Sequence, residues 1–302
     1  MPVPGRFGAV ICAMVTPFDG EGRLDIGGAV KLARWLVDNG NDGLVLAGTT
    51  GEAPAMSDQE KHDLWKAVRE VVGVPVIANT GTASTAHSVE LTKMAADVGA
   101  DAALVVTPYY NRPSQAGIEA HFRAIAQATR LPVIAYDIPK RTGRELRAST
   151  LARLAGDGVI AGLKDAAGST SATAALIDQA PHGFEVYSGE DALTLPLVAV
   201  GAVGLISVAS HWAGPQISEM IAAYTKGDTD AAMALNARLV ESWEFEGTED
   251  APNPVPTKAM LRALGLPAGE CRLPMGPTPP GLAERAREVW ANLHAQPFRQ
   301  AV

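Results

Sequence analysis

The sequence predicts a closed (β/α)8 barrel of the TIM type with a C-terminal helical extension, on three observations. Eight short runs rich in Val, Ile, Leu and Ala recur along the chain, each about the length of a buried parallel strand. Between them lie longer stretches whose apolar residues return at three- and four-residue spacing, as amphipathic helices require. No G-x-G-x-x-G follows the first run, although the dinucleotide sites of open doubly wound sheets carry that fingerprint. Repeated β-then-α units within roughly 250 residues suit a closed barrel better.

In chain order, a strand over residues 9–15 precedes a helix over 25–39, and a strand over 43–47 precedes a helix over 58–72. The third and fourth units pair strands at 75–79 and 102–106 with helices at 86–98 and 115–129. Four further apolar runs, at 132–136, 159–164, 184–188 and 203–208, complete the set of strands. From about Gly227 the pattern changes to helical stretches at 230–243, 257–264 and 282–293, joined by proline-rich turns. The expected division is therefore a barrel over 1–226 and a helical extension over 227–302. Pro254 and Pro256 fix the chain's approach to the helix that follows.

With 302 residues, 47% of them hydrophobic, the chain can bury a large core. A net charge of -8 without any Lys/Arg-rich run argues against nucleic acid or an anionic membrane as partner, which leaves a small-molecule substrate. Cys12 and Cys271 are too far apart in sequence to read as a redox or metal pair, and both fit a reducing cytosol. The N-terminus Met1-Pro2-Val3-Pro4-Gly5-Arg6-Phe7 lacks a charged leader with an apolar core, and no later run is long enough to span a bilayer. A soluble cytoplasmic protein is expected.

Barrel enzymes carry their chemistry at the C-terminal mouth of the strands, so polar residues at strand ends carry most weight. Lys164 closes the sixth apolar run. Burial disfavours ammonium, so a lysine there keeps some neutral, nucleophilic amine near pH 7 and can condense with a keto acid. Taken alone it reads more readily as a surface lysine beside Asp165, since most lysines are solvated. Tyr136 ends the preceding run, about one βαβ unit of roughly 30 residues earlier, so adjacent strands would bring phenol and amine to one mouth. A phenol there can shuttle protons during carbinolamine dehydration; otherwise Tyr136, Tyr109 and Tyr110 are packing aromatics. Gly48-Thr49-Thr50-Gly51, after the second strand, is either a plain tight connection or a carboxylate cradle of hydroxyls and amides.

The motifs GTTGE, TPYYNRPSQ, YDIPKRTG, GLKDAAGS and YSGED occur in this order. The chain from about Phe7 to its C-terminal helices thereby resembles the dihydrodipicolinate synthase and N-acetylneuraminate lyase superfamily. The resemblance implies condensation of pyruvate with L-aspartate 4-semialdehyde through a Schiff base, with no cofactor and no metal. It implies that Lys164 forms the imine, that Thr50 and nearby backbone hold the pyruvate carboxylate, and that Tyr136, Thr49 and Tyr110 relay protons. Tyr110 would reach into a neighbouring subunit of a homotetramer built as a dimer of dimers. Arg141 would receive the semialdehyde carboxylate, for which a guanidinium offers paired donors, and Gly189 and Ile206 would line the pyruvate pocket with backbone.

Two departures stand out. Asp137 follows Tyr136 where many relatives of the superfamily have asparagine, a change that leaves the expected reaction unaltered. Asp58, Lys61, Ala83 and His87 replace polar residues resembling a lysine feedback site, so weak inhibition by lysine is expected.

Four other functions compete. A sugar-acid aldolase of the same superfamily would use Lys164 and Tyr136 equally, but Arg141 and the Thr49-Thr50 pair favour a short, anionic aldehyde. A metal-dependent barrel is disfavoured by six scattered histidines that form no His-x-His or i, i+4 pair. A phosphate-binding barrel is disfavoured by Glu190 and Asp191 after Gly189. An inert keto-acid sensor would bind pyruvate without turnover, against which the amine and all three relay hydroxyls argue for an enzyme.

Overall fold

The computed structural model describes residues 5–295, so the N-terminal leader reading falls partly outside the described residues. The eight apolar runs form a closed parallel barrel in which neighbours in sequence are neighbours in space. Its first half runs β1 (Val10–Ala13), α1 (Ile26–Asp38), β2 (Gly43–Leu46), α2 (Asp58–Arg69), β3 (Val76–Asn79), α3 (Thr85–Asp97), β4 (Ala102–Val106) and α4 (Gln115–Gln127). The second half runs β5 (Val133–Asp137), a single helical turn α5 (Pro139–Thr142), α6 (Ala148–Gly156), β6 (Gly162–Asp165), α7 (Thr170–Gln179), β7 (Glu185–Ser188), α8 (Thr194–Ala199), β8 (Gly204–Ser207) and α9 (Ser210–Thr225). Beyond it stand α10 (Thr229–Phe245), α11 (Val255–Ala263) and α12 (Leu282–Ala295).

Several strands are shorter than the apolar runs that announce them. The amides of Val159 and Ile160 bond to the Leu154 carbonyl and finish α6, so β6 starts only at Gly162. Likewise α2 stops at Arg69, although Val72 still packs against the core, because the amides of Val71 and Val72 turn back onto Val68. Helix starts are fixed locally: Ser57 forms a capping box with Glu60, and Asp25, Ser84, Ser114, Ser169 and Asp228 each cap the helix that follows them.

Strand alternation sorts the core into an inner and an outer layer. Ile11, Val45, Ile77, Leu104, Ile134 and Ile206 belong to one buried cluster inside the barrel. Their strand neighbours Cys12, Leu44, Leu46, Ala103 and Ala135 instead pack in clusters with residues of the surrounding helices. Closure depends on small residues where β1 meets β8. Val10 aligns with Leu205 and Ile11 with Ile206, and a Cβ on Gly204 would sit 2.1 Å from the Ala9 carbonyl oxygen. Leu235, Leu239, Met260 and Val289 of the last three helices share a cluster with Val10, Leu205 and Trp212 of the barrel. No helix among the described residues is long and apolar enough to cross a membrane.

Candidate active site

Strand register sets the centre of the site. Tyr136 on β5 aligns with Lys164 on β6, and Lys164 in turn with Tyr187 on β7. Lys164 Nζ lies 4.3 Å from the centre of the Tyr136 ring. Both side chains are buried, Lys164 at 6% and Tyr136 at 5% exposure, at the base of a cavity of about 310 Å³ in the mouth of the barrel. Thr49, Thr50, Arg141 and Gly189 line the same cavity. Six of the eight site residues expected from sequence are thus brought together in one chain.

The other two stand apart. Ile206 is buried in the inner barrel cluster, and Val208 rather than Ile206 faces the cavity. Tyr110 is 93% exposed and lines a larger neighbouring cavity of about 720 Å³, which shares Thr49 and Arg141 with the first. Its backbone is left-handed, with φ of 72°. The four non-glycine residues of the described chain with positive φ are Ala47, Glu52, Tyr110 and Arg112, all in the turns after β2 and β4. Such strain persists only where surrounding structure enforces it, and it gathers at functional sites. Here the enforcing bonds are visible: Arg112 Nε donates to the Gly143 carbonyl at 3.0 Å, and Asn111 Nδ2 to the Ala83 carbonyl at 3.1 Å.

Burial pushes the Lys164 ammonium down from 10.5 to about 8; the charge of Asp191 opposes that fall and that of Arg141 adds to it. About a tenth of the amine is therefore neutral at pH 7. Burial also pushes the Tyr136 phenol up to about 12, with Arg141 and the Thr49 hydroxyl acting the other way. It remains protonated and able to donate. Gly189 lets the chain pass close: a Cβ there would lie 3.0 Å from Lys164 Cγ and 3.2 Å from the Asp165 carbonyl carbon.

Sequence reasoning missed the contribution of the helical extension. Asn253 Nδ2 donates to Thr50 Oγ1 at 3.0 Å, and Trp243, Glu246 and Thr248 complete the cavity wall. The Asn-Pro-Val-Pro run signals a fixed turn, but nothing in its pattern says what that turn faces. Asp191 is also part of the site. Its carboxylate accepts from the Ser207 hydroxyl and, at 2.8 Å, from the Val208 amide. Burial and then the Asp191 charge raise Glu246 well above the usual carboxylate range.

Among the described residues no three His, Cys, Asp or Glu side chains gather in a metal-binding group. His211 is a structural residue: its Nε2 accepts the Val15 amide at 3.0 Å and its Nδ1 lies 2.7 Å from the Val208 carbonyl. Asp58, Lys61 and His87, three of the four residues expected to weaken lysine feedback, line the larger cavity. Asp58 lies 3.4 Å from Lys61 Nζ and 2.8 Å from His87 Nε2.

Residues 6–292 match the model of the dihydrodipicolinate synthetase family. A 4-hydroxy-tetrahydrodipicolinate synthase of Moorella thermoacetica is 50% identical over 272 residues, covering 89% of this chain and 92% of the relative. The crystal structure of a dihydrodipicolinate synthase from Bacillus anthracis superposes with a TM-score of 0.92 at 42% identity, over 97% of this chain and 99% of that one. One from Cyanidioschyzon merolae, with lysine bound, superposes at 0.93 with 40% identity, over 96% and 99%.

Proposed function

Because the chain belongs to the dihydrodipicolinate synthetase family, we propose that its barrel mouth joins pyruvate to L-aspartate 4-semialdehyde through an imine on Lys164. The reaction is that of a lyase and yields 4-hydroxy-tetrahydrodipicolinate, in lysine and diaminopimelate biosynthesis. The observation that carries the Lys164 assignment is a buried amine with its proton affinity lowered to about 8, against a protonated phenol.

Neutral Lys164 attacks C2 of pyruvate, and the carbinolamine loses water to become an iminium. Loss of a proton from the pyruvate methyl gives an enamine, which attacks the aldehyde carbon while the aldehyde oxygen gains a proton. The substrate's own amine then adds to the imine carbon, closes the ring and releases Lys164. Tyr136 and Thr49 supply and remove protons, and Tyr110 of the partner subunit completes the relay. The exposure and enforced backbone of Tyr110 support that last role, and with it a homotetramer of tight dimers. Thr50 and adjoining amides hold the pyruvate carboxylate, with backbone at Gly189 lining that pocket. Arg141 receives the carboxylate of the semialdehyde. The substrates are soluble metabolites, which supports a cytoplasmic location.

A coupled assay with aspartate semialdehyde, run beside N-acetylmannosamine and a short sugar aldehyde, tests this reading. Turnover of the semialdehyde alone is expected; turnover confined to the sugars would overturn it.

A further inference from the structure

The turn after β2 is fastened to the helical extension by a buried ion pair that the reaction itself does not use. Lys258 of α11 and Glu52, at the end of the Gly48–Thr49–Thr50–Gly51 turn, meet at 2.6 Å with side chains 0% and 2% exposed. The second oxygen of Glu52 accepts the Arg272 amide at 2.8 Å. Lys258 Nζ also donates to the Glu270 carbonyl at 3.1 Å and lies 4.2 Å from the centre of the Phe18 ring. Each partner is thus held from two or more sides.

Glu52 has φ of 57°, a conformation that an ordinary residue keeps only under constraint. Asn253, just before α11, reaches the same turn through its bond to Thr50. Replacing a buried ion pair by packed apolar residues is often neutral or stabilising, so stability alone gives little reason for this one. What it supplies is direction, because two oppositely charged groups buried together can be paired in few arrangements.

We infer that the Lys258–Glu52 pair is a positioning device: it sets the Thr49-Thr50 turn for the keto-acid carboxylate, so the extension controls pyruvate affinity. The inference rests on the reading of Thr50 as the carboxylate site. Neither Lys258 nor Glu52 lines the cavity at the barrel mouth. Their effect passes through the turn, and it falls on the binding of pyruvate rather than on proton transfer at Lys164.

The test is the pyruvate concentration that gives half-maximal borohydride-trapped adduct, read by intact mass on the full chain, beside steady-state kinetics. Lys258→Met is expected to raise that concentration and the KM for pyruvate by about tenfold, with kcat changing much less, and Lys258→Arg to restore most of the loss. Thr50→Val serves as the control for the reading beneath. If Thr50→Val weakens pyruvate while folded Lys258→Met binds it as the wild type does, the inference is overturned alone. If Thr50→Val changes nothing, the carboxylate reading fails and takes the inference with it. Should Lys258→Met not fold, the same measurement passes to the Glu52→Gln/Lys258→Met double variant, which leaves neither charge buried alone; wild-type affinity there also overturns the inference.

Discussion

Lys164 Nζ sits above the ring of Tyr136, 4.3 Å from its centre. The amine is thereby bordered by a π-face that favours cationic nitrogen, while burial opposes it more strongly. A nitrogen that must be neutral to attack and cationic as an iminium is served by both influences.

Borohydride reduction in the presence of pyruvate should place the adduct on Lys164 by peptide mass mapping. Lys164→Ala should abolish trapping and leave the fold intact. An adduct on Lys140 or Lys258 would sink the assignment.

The pH dependence follows from the direction of the Lys164 shift. Below about pH 8 the amine is mostly ammonium, so kcat/KM for pyruvate should climb nearly tenfold per pH unit and flatten above pH 8. Stability carries the same signature: between about 8 and 10.5 the unfolded chain binds the proton that the folded site has released, so unliganded stability should rise with pH across that window. A Lys164→Met variant should lose that rise. A thermal-denaturation series from pH 7 to 10.5 on both proteins would expose a wrong sign.

Arg141 is exposed and lines both cavities, and in the proposed reaction it receives the carboxylate of the second substrate. Arg141→Leu should cost on the order of 2–5 kcal/mol in kcat/KM for aspartate semialdehyde if the contact is desolvated. Pyruvate trapping should survive it. An unchanged specificity constant would remove Arg141 from the clamp.

Tyr110→Phe and Lys164→Ala chains, inactive or weakened alone, should recover activity when mixed and allowed to exchange subunits. One class of site then joins an intact Tyr110 to an intact Lys164. No recovery after verified exchange would mean that Tyr110 acts within its own chain or not at all.

L-Lysine should inhibit weakly. Lys61 is 6% exposed beside the larger cavity, with its ammonium 3.4 Å from Asp58, and the same carboxylate is 2.8 Å from His87. The acidic group is already engaged and the fixed cation repels an incoming ammonium. Initial rates against added L-lysine at half-saturating pyruvate decide it, strong sub-millimolar inhibition being the contrary outcome.

The order and number of the strands were legible because continuous apolar runs mark parallel strands covered on both faces. Lys164 and Tyr136 were legible as neighbours because each closes a run and one βαβ unit separates them. Strand ends were less so: Val159 and Ile160 are as apolar as a strand requires, yet their amides belong to the close of α6. Asn253, Glu246 and Trp243 stayed hidden because their place at the cavity depends on how the extension folds back over the mouth, and no periodicity encodes that. Glu52 is part of the GTTGE motif, but its buried partner lies some two hundred residues away and left no local sign.

The seam between β1 and β8 sets a schedule for the newborn chain. Ile11 and Cys12 align on one side with Gly43 and Leu44, but on the other with Ile206 and Ser207. At ribosomal rates of about 5–20 residues per second, that second edge waits roughly 10–40 s for its partner. Through that interval a strand with open backbone donors and acceptors is a template for wrong pairing. Slow, late closure of this kind predisposes the chain to need shielding while it is made, whatever the stability of the finished barrel.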